Sequence, residues 1–469
     1  MRVLPDFEPT PEQLKIVADN RSGFRIIRGA AGSGKTSTAL LQLRLRSAAR
    51  LRQRQREGIS EPVRALVLTF NRTLRGYIEE LARQADTGND ALLLEVSTFG
   101  SWSRTFAGNV PVLGRDDTAA MLRLHLDDIG VRAQHQFLMD EIEYVLGRYP
   151  PDRLGDYVGA RRRGRGRAPR IDKVRRQALL EGPIAAYTAA KESRGLVDWN
   201  DLALRTASMS PPHLYDIVIV DETQDFSANQ VRAVLRFLTD DHSTTFVLDA
   251  MQRLYPRYFT WQEVGIDARP EVFHTLKRNY RNTAAIARFA QPLLAGLPPE
   301  DDGALPDFSA CVTEGTKPVV AVGKYSAQIR CMLDRLQAVA DFRVETTAVL
   351  KARGGGWFDE VRRELRSRGI PFCELTRQSD WPRGNENVAL CTMHSAKGLE
   401  FDHVLIPGLS QRVTPHGPEE GDSNLEQLRR MLAMAIGRAR KTVMVGYKPG
   451  EESTLIGRLE PATYERVEL

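Results

Sequence analysis

Gly29-Ala30-Ala31-Gly32-Ser33-Gly34-Lys35-Thr36 fits the pattern G-x-x-x-x-G-K-[ST], and the residues around it decide how it is read. The apolar run Phe24-Arg25-Ile26-Ile27 ends just before it, and Thr38, Ala39, Leu40, Leu41 and Leu43 are spaced as a helix just after it. A strand, a glycine-rich loop and a helix in that order form a phosphate cradle. The glycines let the backbone curl so that its N–H groups point at phosphate oxygens, and the helix N-terminus adds partial positive charge. Lys35 is placed to reach the outer phosphates of a nucleotide, and the Thr36 hydroxyl to ligate Mg²⁺.

Such a loop needs a carboxylate on a neighbouring strand. Tyr215-Asp216-Ile217-Val218-Ile219-Val220-Asp221-Glu222 supplies one: four apolar residues of a buried strand, then two acids at its C-terminal end. That edge is where open parallel sheets bind their ligands. Asp221 is the candidate for the Mg²⁺ shell and Glu222 for the general base that polarises the attacking water.

Outward from these two segments, short β-rich apolar runs recur at Ala65–Leu68 and Thr245–Leu248. A second set follows at Val319–Val322, Thr347–Leu350, Val388–Cys391, Val404–Ile406 and Val443–Val445. Continuous apolar strands that alternate with helical patterns predict parallel α/β sheets covered on both faces. Residues 103–195 are charged and helical in pattern, and read as a helical insertion in the first α/β unit. Within it, Arg161-Arg162-Arg163-Gly164-Arg165-Gly166-Arg167 is too glycine-rich and too like-charged for a stable helix. It reads either as an exposed loop that grips phosphates or as a solvated loop.

The 469 residues carry a net charge of +6 and a pI near 9.1, a mild basic excess that favours a polyanionic partner. The four cysteines, at 311, 331, 373 and 391, form no CxxC pair, so neither a zinc site nor a disulfide framework is expected. No signal-peptide pattern opens the chain and no apolar run is long enough to span a membrane, so a cytoplasmic protein is expected.

Asp221-Glu222-Thr223-Gln224-Asp225-Phe226 resembles the DExQD box of superfamily 1 helicases of the UvrD/Rep/PcrA type, and the resemblance extends in the family's order along nearly the whole chain. It implies two RecA-like lobes: 1A over 1–102 and 196–279, with the helical 1B insertion at 103–195, and 2A over 280–469. Pro11-Glu12-Gln13 is similar to the Q motif, in which Gln13 would read adenine. Leu68-Thr69-Phe70-Asn71 resembles motif Ia and Ser97-Thr98-Phe99 motif Ib, while Leu196–Leu202 resembles the L-x-D-F-x-D-L segment. Leu248–Tyr255 resembles motif III, which puts Gln252 where the family senses the γ-phosphate and Tyr255 where it stacks on a base. Asn279-Tyr280-Arg281-Asn282 resembles motif IV, with Tyr280 on the adenine and Arg281 on the γ-phosphate. Thr392–Phe401 is similar to motif V, with Glu400 on the ribose and Thr392 and His394 near DNA. Ala435–Arg440 resembles motif VI, with Arg438 as a second arginine finger. Ser37, Arg257 and Gly437 depart from the residues the family often has.

The resemblance implies ATP and Mg²⁺ as cofactors and ATP-driven 3′→5′ movement on single-stranded DNA. Candidate strand contacts are Phe70, Phe99, Trp102, Tyr255 and Tyr258, because single-strand motors pair phosphate contacts with aromatic stacking. Phe70 and Phe99 also end apolar strands and read equally as core. Only residues 376–387 stand where the family inserts its accessory 2B domain, too few to fold one. Loss of that domain implies weak unwinding and dependence on a partner. Proteins of this size resemble the helicase-like subunits that accompany nucleases in two-gene phage-defence systems such as Gabija. The other expectation is therefore a nucleotide-gated DNA-binding subunit of a nuclease-containing complex. An RNA motor is a third reading, since phosphate contacts and stacking do not report the 2′-OH.

Overall fold

The computed structural model describes residues 9–29, 32–70, 72–85, 91–108, 110–126, 135–162, 171–248, 259–267, 269–276, 282–297, 311, 313–352, 355–376, 381–382, 384–418 and 422–469. Two parallel sheets organise them. The first contains β1 (Gly23–Gly29), β2 (Val63–Thr69), β3 (Leu92–Thr98), β4 (Tyr215–Val220), β5 (Leu238–Leu248) and β6 (Phe273–Leu276), in the order β3-β2-β4-β5-β1-β6. The second contains β7 (Val319–Val322), β8 (Thr347–Lys351), β9 (Phe372–Glu374), β10 (Val388–Thr392), β11 (Phe401–Ile406), β12 (Ala439–Tyr447) and β13 (Glu465–Glu468), in the order β13-β7-β12-β11-β8-β10-β9. Every strand pair in both sheets is parallel. The fold is α/β, as the runs of apolar residues predict. β4, β7, β8 and β11 are buried at every position, which is why they read as continuous rather than alternating hydrophobic segments.

All nine apolar runs noted in the sequence are strands. One expectation needs correcting. β4, which carries Asp221 at its end, is not the neighbour of β1; β5 lies between them. Helix α1 (Pro11–Val17) precedes β1 and α2 (Lys35–Glu57) follows it, and the acid meets the phosphate loop because Thr36, on the first turn of α2, reaches Asp221 past the intervening strand.

The segment between β3 and β4 is helical and builds a small core of its own around Leu122, Phe137, Ile142, Tyr144, Tyr157 and Tyr187. Inside it, Glu141 is fully buried and accepts hydrogen bonds from Tyr157 Oη at 2.6 Å and from the Arg162 guanidinium at 2.6 and 2.7 Å. A buried carboxylate is tolerated only with such partners. Residues 163–170 of the arginine-rich stretch lie outside the described residues. β9 and β10 are joined by residues 375–387, with no further helix among the described ones.

Candidate functional site

The site begins at the loop between β1 and helix α2, here taken as Lys35–Glu57. Gly32 and Gly34 adopt φ of 83° and 77°, a left-handed region that side chains rarely enter. Gly29 is fixed by space: a Cβ there would lie 2.5 Å from Ser33 Oγ and 2.7 Å from the Leu276 carbonyl. Lys35 opens α2 and its Nζ donates to the Gly29 carbonyl at 2.7 Å, so the ammonium already sits over the loop. The Thr36 hydroxyl is 3.0 and 3.2 Å from the two carboxylate oxygens of Asp221. Gln13 is buried against the same loop. Its amide donates to the Ser33 carbonyl at 2.8 Å and its oxygen accepts from the Thr10 backbone at 2.8 Å. Those bonds use one of its two N–H groups and one of its two lone pairs. Ala30 and Ala31 lie outside the described residues, and Ser37 is half-buried on the first turn of α2.

Glu222 follows Asp221 at φ 53° and ψ 40°, the one non-glycine residue with positive φ among those described. That backbone costs on the order of 1–3 kcal/mol, and it turns the carboxylate out of the strand line. Gln224 Nε2 donates to Glu222 Oε2. The second sheet supplies the counter-charge. Lys397, in the loop after β10, places its Nζ 3.5 Å from Glu222 and 2.6 Å from Asp225, and it is 3 % exposed. Arg438 is buried as well, donates to the Leu399 carbonyl at 3.4 Å, and acts on Glu222 electrostatically.

The two acids are driven apart by this setting. Burial works against the charge on Glu222, but Lys397, Arg438 and Lys35 outweigh it and hold the carboxyl below its usual range. Asp221 feels the same burial together with the negative charge of Glu222, and is pushed up to about 7. Two adjacent carboxylates with separated affinities for a proton are a common sign of divided chemical roles.

The sequence reading assigns no role to Lys397 or Asp225. The signal was there: a lysine inside the apolar run Ala396-Lys397-Gly398-Leu399 is either wrongly placed or paired. Glu400 is half-buried in the same loop. Gln252, Tyr255, Tyr258, Tyr280 and Arg281 lie outside the described residues.

The candidate strand contacts separate into two groups. Thr392 ends β10 half-buried, with its Oγ1 bonded to Ser395 Oγ at 3.0 Å, and His394 is exposed beside it. Phe70 is half-buried at the end of β2. Phe99 and Trp102 are a correction: both are core residues. Phe99 packs on Phe226 with ring centroids 6.0 Å apart. Trp102 is fully buried against Phe237 at 4.8 Å, and its indole N–H donates to Tyr215 Oη at 3.1 Å. The reason is a helix that starts at Phe99, whose residues 99, 102, 103 and 106 fall on one face turned to the sheet. Trp102→Phe is expected to cost roughly 1–3 kcal/mol of stability, from the lost hydrogen bond and lost volume, while strand affinity stays unchanged. Thermal melting and a strand-binding titration on one preparation check both halves of that expectation.

Phosphate loop, paired acids and cations from a second parallel sheet define a P-loop nucleotide-binding protein built from two lobes. A family model described as "AAA domain" matches residues 13–257, and one described as "UvrD-like helicase C-terminal domain" matches residues 373–449. The first spans more than half of the chain, and this chain belongs to the superfamily 1A helicases of the UvrD/Rep type. It is 42 % identical over 62 residues to a "Probable DNA helicase II homolog" of Rickettsia conorii, which is 13 % of this chain and 10 % of that one. It is 23 % identical over 511 residues to "ATP-dependent DNA helicase UvrD2" of Mycobacterium tuberculosis, covering 80 % of this chain and 71 % of the relative. Among solved structures, the C-terminal domain of a possible DNA helicase from a Lactobacillus aligns with 40 % of this chain and 98 % of its own, at 23 % identity and a TM-score of 0.30. Among the described residues, no helix is long and apolar enough to cross a membrane.

Proposed function

We propose that this chain is a cytoplasmic ATP-hydrolysing motor that moves 3′→5′ along single-stranded DNA. One observation carries the reading. Glu222 on the first lobe is met by Lys397 and Arg438 from the second, within the same group of charges as Lys35. A terminal phosphate read by both lobes couples its hydrolysis to their movement. In this reading 1–102 and 196–279 form lobe 1A, 103–195 the 1B insertion and 280–469 lobe 2A.

Lys35 contacts the outer phosphates and Glu222 orients and deprotonates water. Arg438 and Arg281 are the arginine fingers, and Gln252 senses the γ-phosphate. Gln13, Tyr280, Ser37 and Glu400 hold the nucleoside. Thr36 and Asp221 would hold Mg²⁺. The fit is supported by the hydroxyl beside the carboxylate, and by a buried acid at about 7 that a dication would draw into its charged form. When bound, the ion neutralises charge on the β- and γ-phosphates. Phe70, Tyr255, Tyr258, Thr392 and His394 line the path of the strand.

ATP turnover measured with single-stranded DNA, with RNA and with duplex tests this directly. Strong stimulation by single-stranded DNA, abolished in Lys35→Ala, is the expected result. Turnover indifferent to nucleic acid would overturn the motor reading. It would favour a nucleotide-gated subunit of a nuclease-containing defence complex, a second reading supported by the short connection at 375–387 where an accessory domain is expected.

A further inference from the structure

We infer that the connection between β9 and β10 is an inter-lobe latch, with Trp381, Tyr77 and Thr73 as positioning residues for nucleotide binding. The inference deepens the proposed nucleotide cleft and rests on ATP being bound between the two lobes.

Adjacent parallel strands need a crossover of about a dozen residues, and one without a helix of its own normally lies over the surface in contact with water. This one does not. Leu375 is fully buried and its carbonyl accepts a hydrogen bond from Thr73 Oγ1 at 2.8 Å. Trp381 is 8 % exposed and meets the Tyr77 ring edge-on, with centroids 5.1 Å apart and planes at 66°. Thr73 and Tyr77 stand four residues apart on helix α3 (Arg72–Ala85), so both project from one face. That helix belongs to the first lobe and follows β2; the connection belongs to the second. The bond and the ring contact therefore join two separate sheets.

Their placement ties them to the chemistry. Just before α3, the Leu68 carbonyl of β2 accepts the Asp221 N–H at 2.8 Å. Just after the connection, β10 leads into the loop that carries Lys397. Among the described residues, the lobes thus touch at both ends of β10: an apolar contact at its entrance and a charged one beyond its exit. Opening that parts Trp381 from Tyr77 loses the first contact, so the contact favours the closed arrangement. A ligand that needs the closed arrangement binds with an apparent affinity reduced by the fraction of molecules that are open. Trp381 raises the closed fraction, and so raises ATP affinity without touching ATP.

A double-mutant cycle on Tyr77→Leu and Trp381→Leu tests this, read as the Kd of a fluorescent ATP analogue on the full chain. Each single variant is expected to weaken binding roughly three- to tenfold, as loss of one aromatic pair implies. The double variant should be no weaker than the worse single, and Trp381→Phe should recover most of the affinity. Thr73→Val, which keeps the volume and drops only the bond to Leu375, should give a smaller loss in the same direction. Additive losses would overturn the latch, as would unchanged Kd in variants whose melting shows them folded. The readout is binding, so it decides the latch even if the wild-type chain proves not to hydrolyse ATP, an outcome that would sink the motor reading instead.

Discussion

Glu222→Gln is expected to bind ATP with wild-type affinity and to turn it over about 10²–10⁴ times more slowly, the usual contribution of a positioned general base. The substitution keeps the shape and removes the negative charge, and with it the capacity to accept a proton. The charge it deletes is held in place at some cost: the residue is buried, its backbone is in the left-handed region, and three cations surround it. That investment makes sense for a group that must stay ionised. Because the cations hold its carboxyl below the usual range, wild-type turnover at saturating Mg²⁺, which would keep Asp221 ionised, should persist as pH falls through ordinary glutamate values and decline only beneath them. Stopped turnover with retained binding is read from a nucleotide-binding titration beside a steady-state assay. Undiminished hydrolysis would show that another group takes the proton.

Lys397→Met is expected to lower kcat/KM for ATP at least about a hundredfold. Breaking a buried ion pair by removing one partner typically costs about 3–5 kcal/mol, because the remaining charge stays buried. Here the pair spans the lobes, so the loss falls on the closed arrangement that catalysis needs. Lys397 is 2.6 Å from Asp225 and 3.5 Å from Glu222, so one cation serves two carboxylates. With it gone, less positive charge opposes the burial of Glu222, and the carboxyl's affinity for protons rises. The acid limb of the rate profile should therefore move to higher pH, whereas a merely destabilised but chemically intact site would leave it in place. A hundredfold loss with an unmoved acid limb would remove Lys397 from the electrostatics of the base.

How far the fold was legible follows from where each strand lies. The nine strands read from the sequence are the interior ones, buried on both faces and hence continuous in apolar residues. The four that escaped, β3, β6, β9 and β13, are the outer strands of the two sheets. Their burial is partial, Leu93 is 43 % exposed and β13 is Glu-Arg-Val-Glu, so no periodic signal marks them. The nucleotide site was legible because the loop's chemistry fixes residue types at fixed spacing. Its closure from the second lobe was not, since the partners of Lys397 lie more than 170 residues away and no local pattern announces a long-range ion pair. Trp102 misled for a related reason. An aromatic beside a strand-binding motif suits stacking and core alike, and only the helical spacing from Phe99 to Phe106 separates them.

The outermost position of β13 has a consequence for how the molecule behaves in company. β13 covers β7, whose Val319-Val320-Ala321-Val322 is buried throughout and would otherwise offer bare amide groups along a greasy rim. Such a rim templates foreign chains. The covering strand instead shows water Glu465, Arg466 and Glu468, with Glu465 also tethered to Arg335 at 2.6 Å. Four residues of an outer strand thus act as a colloidal guard, and replacing Glu465, Arg466 and Glu468 by apolar residues bears on solubility before it bears on catalysis.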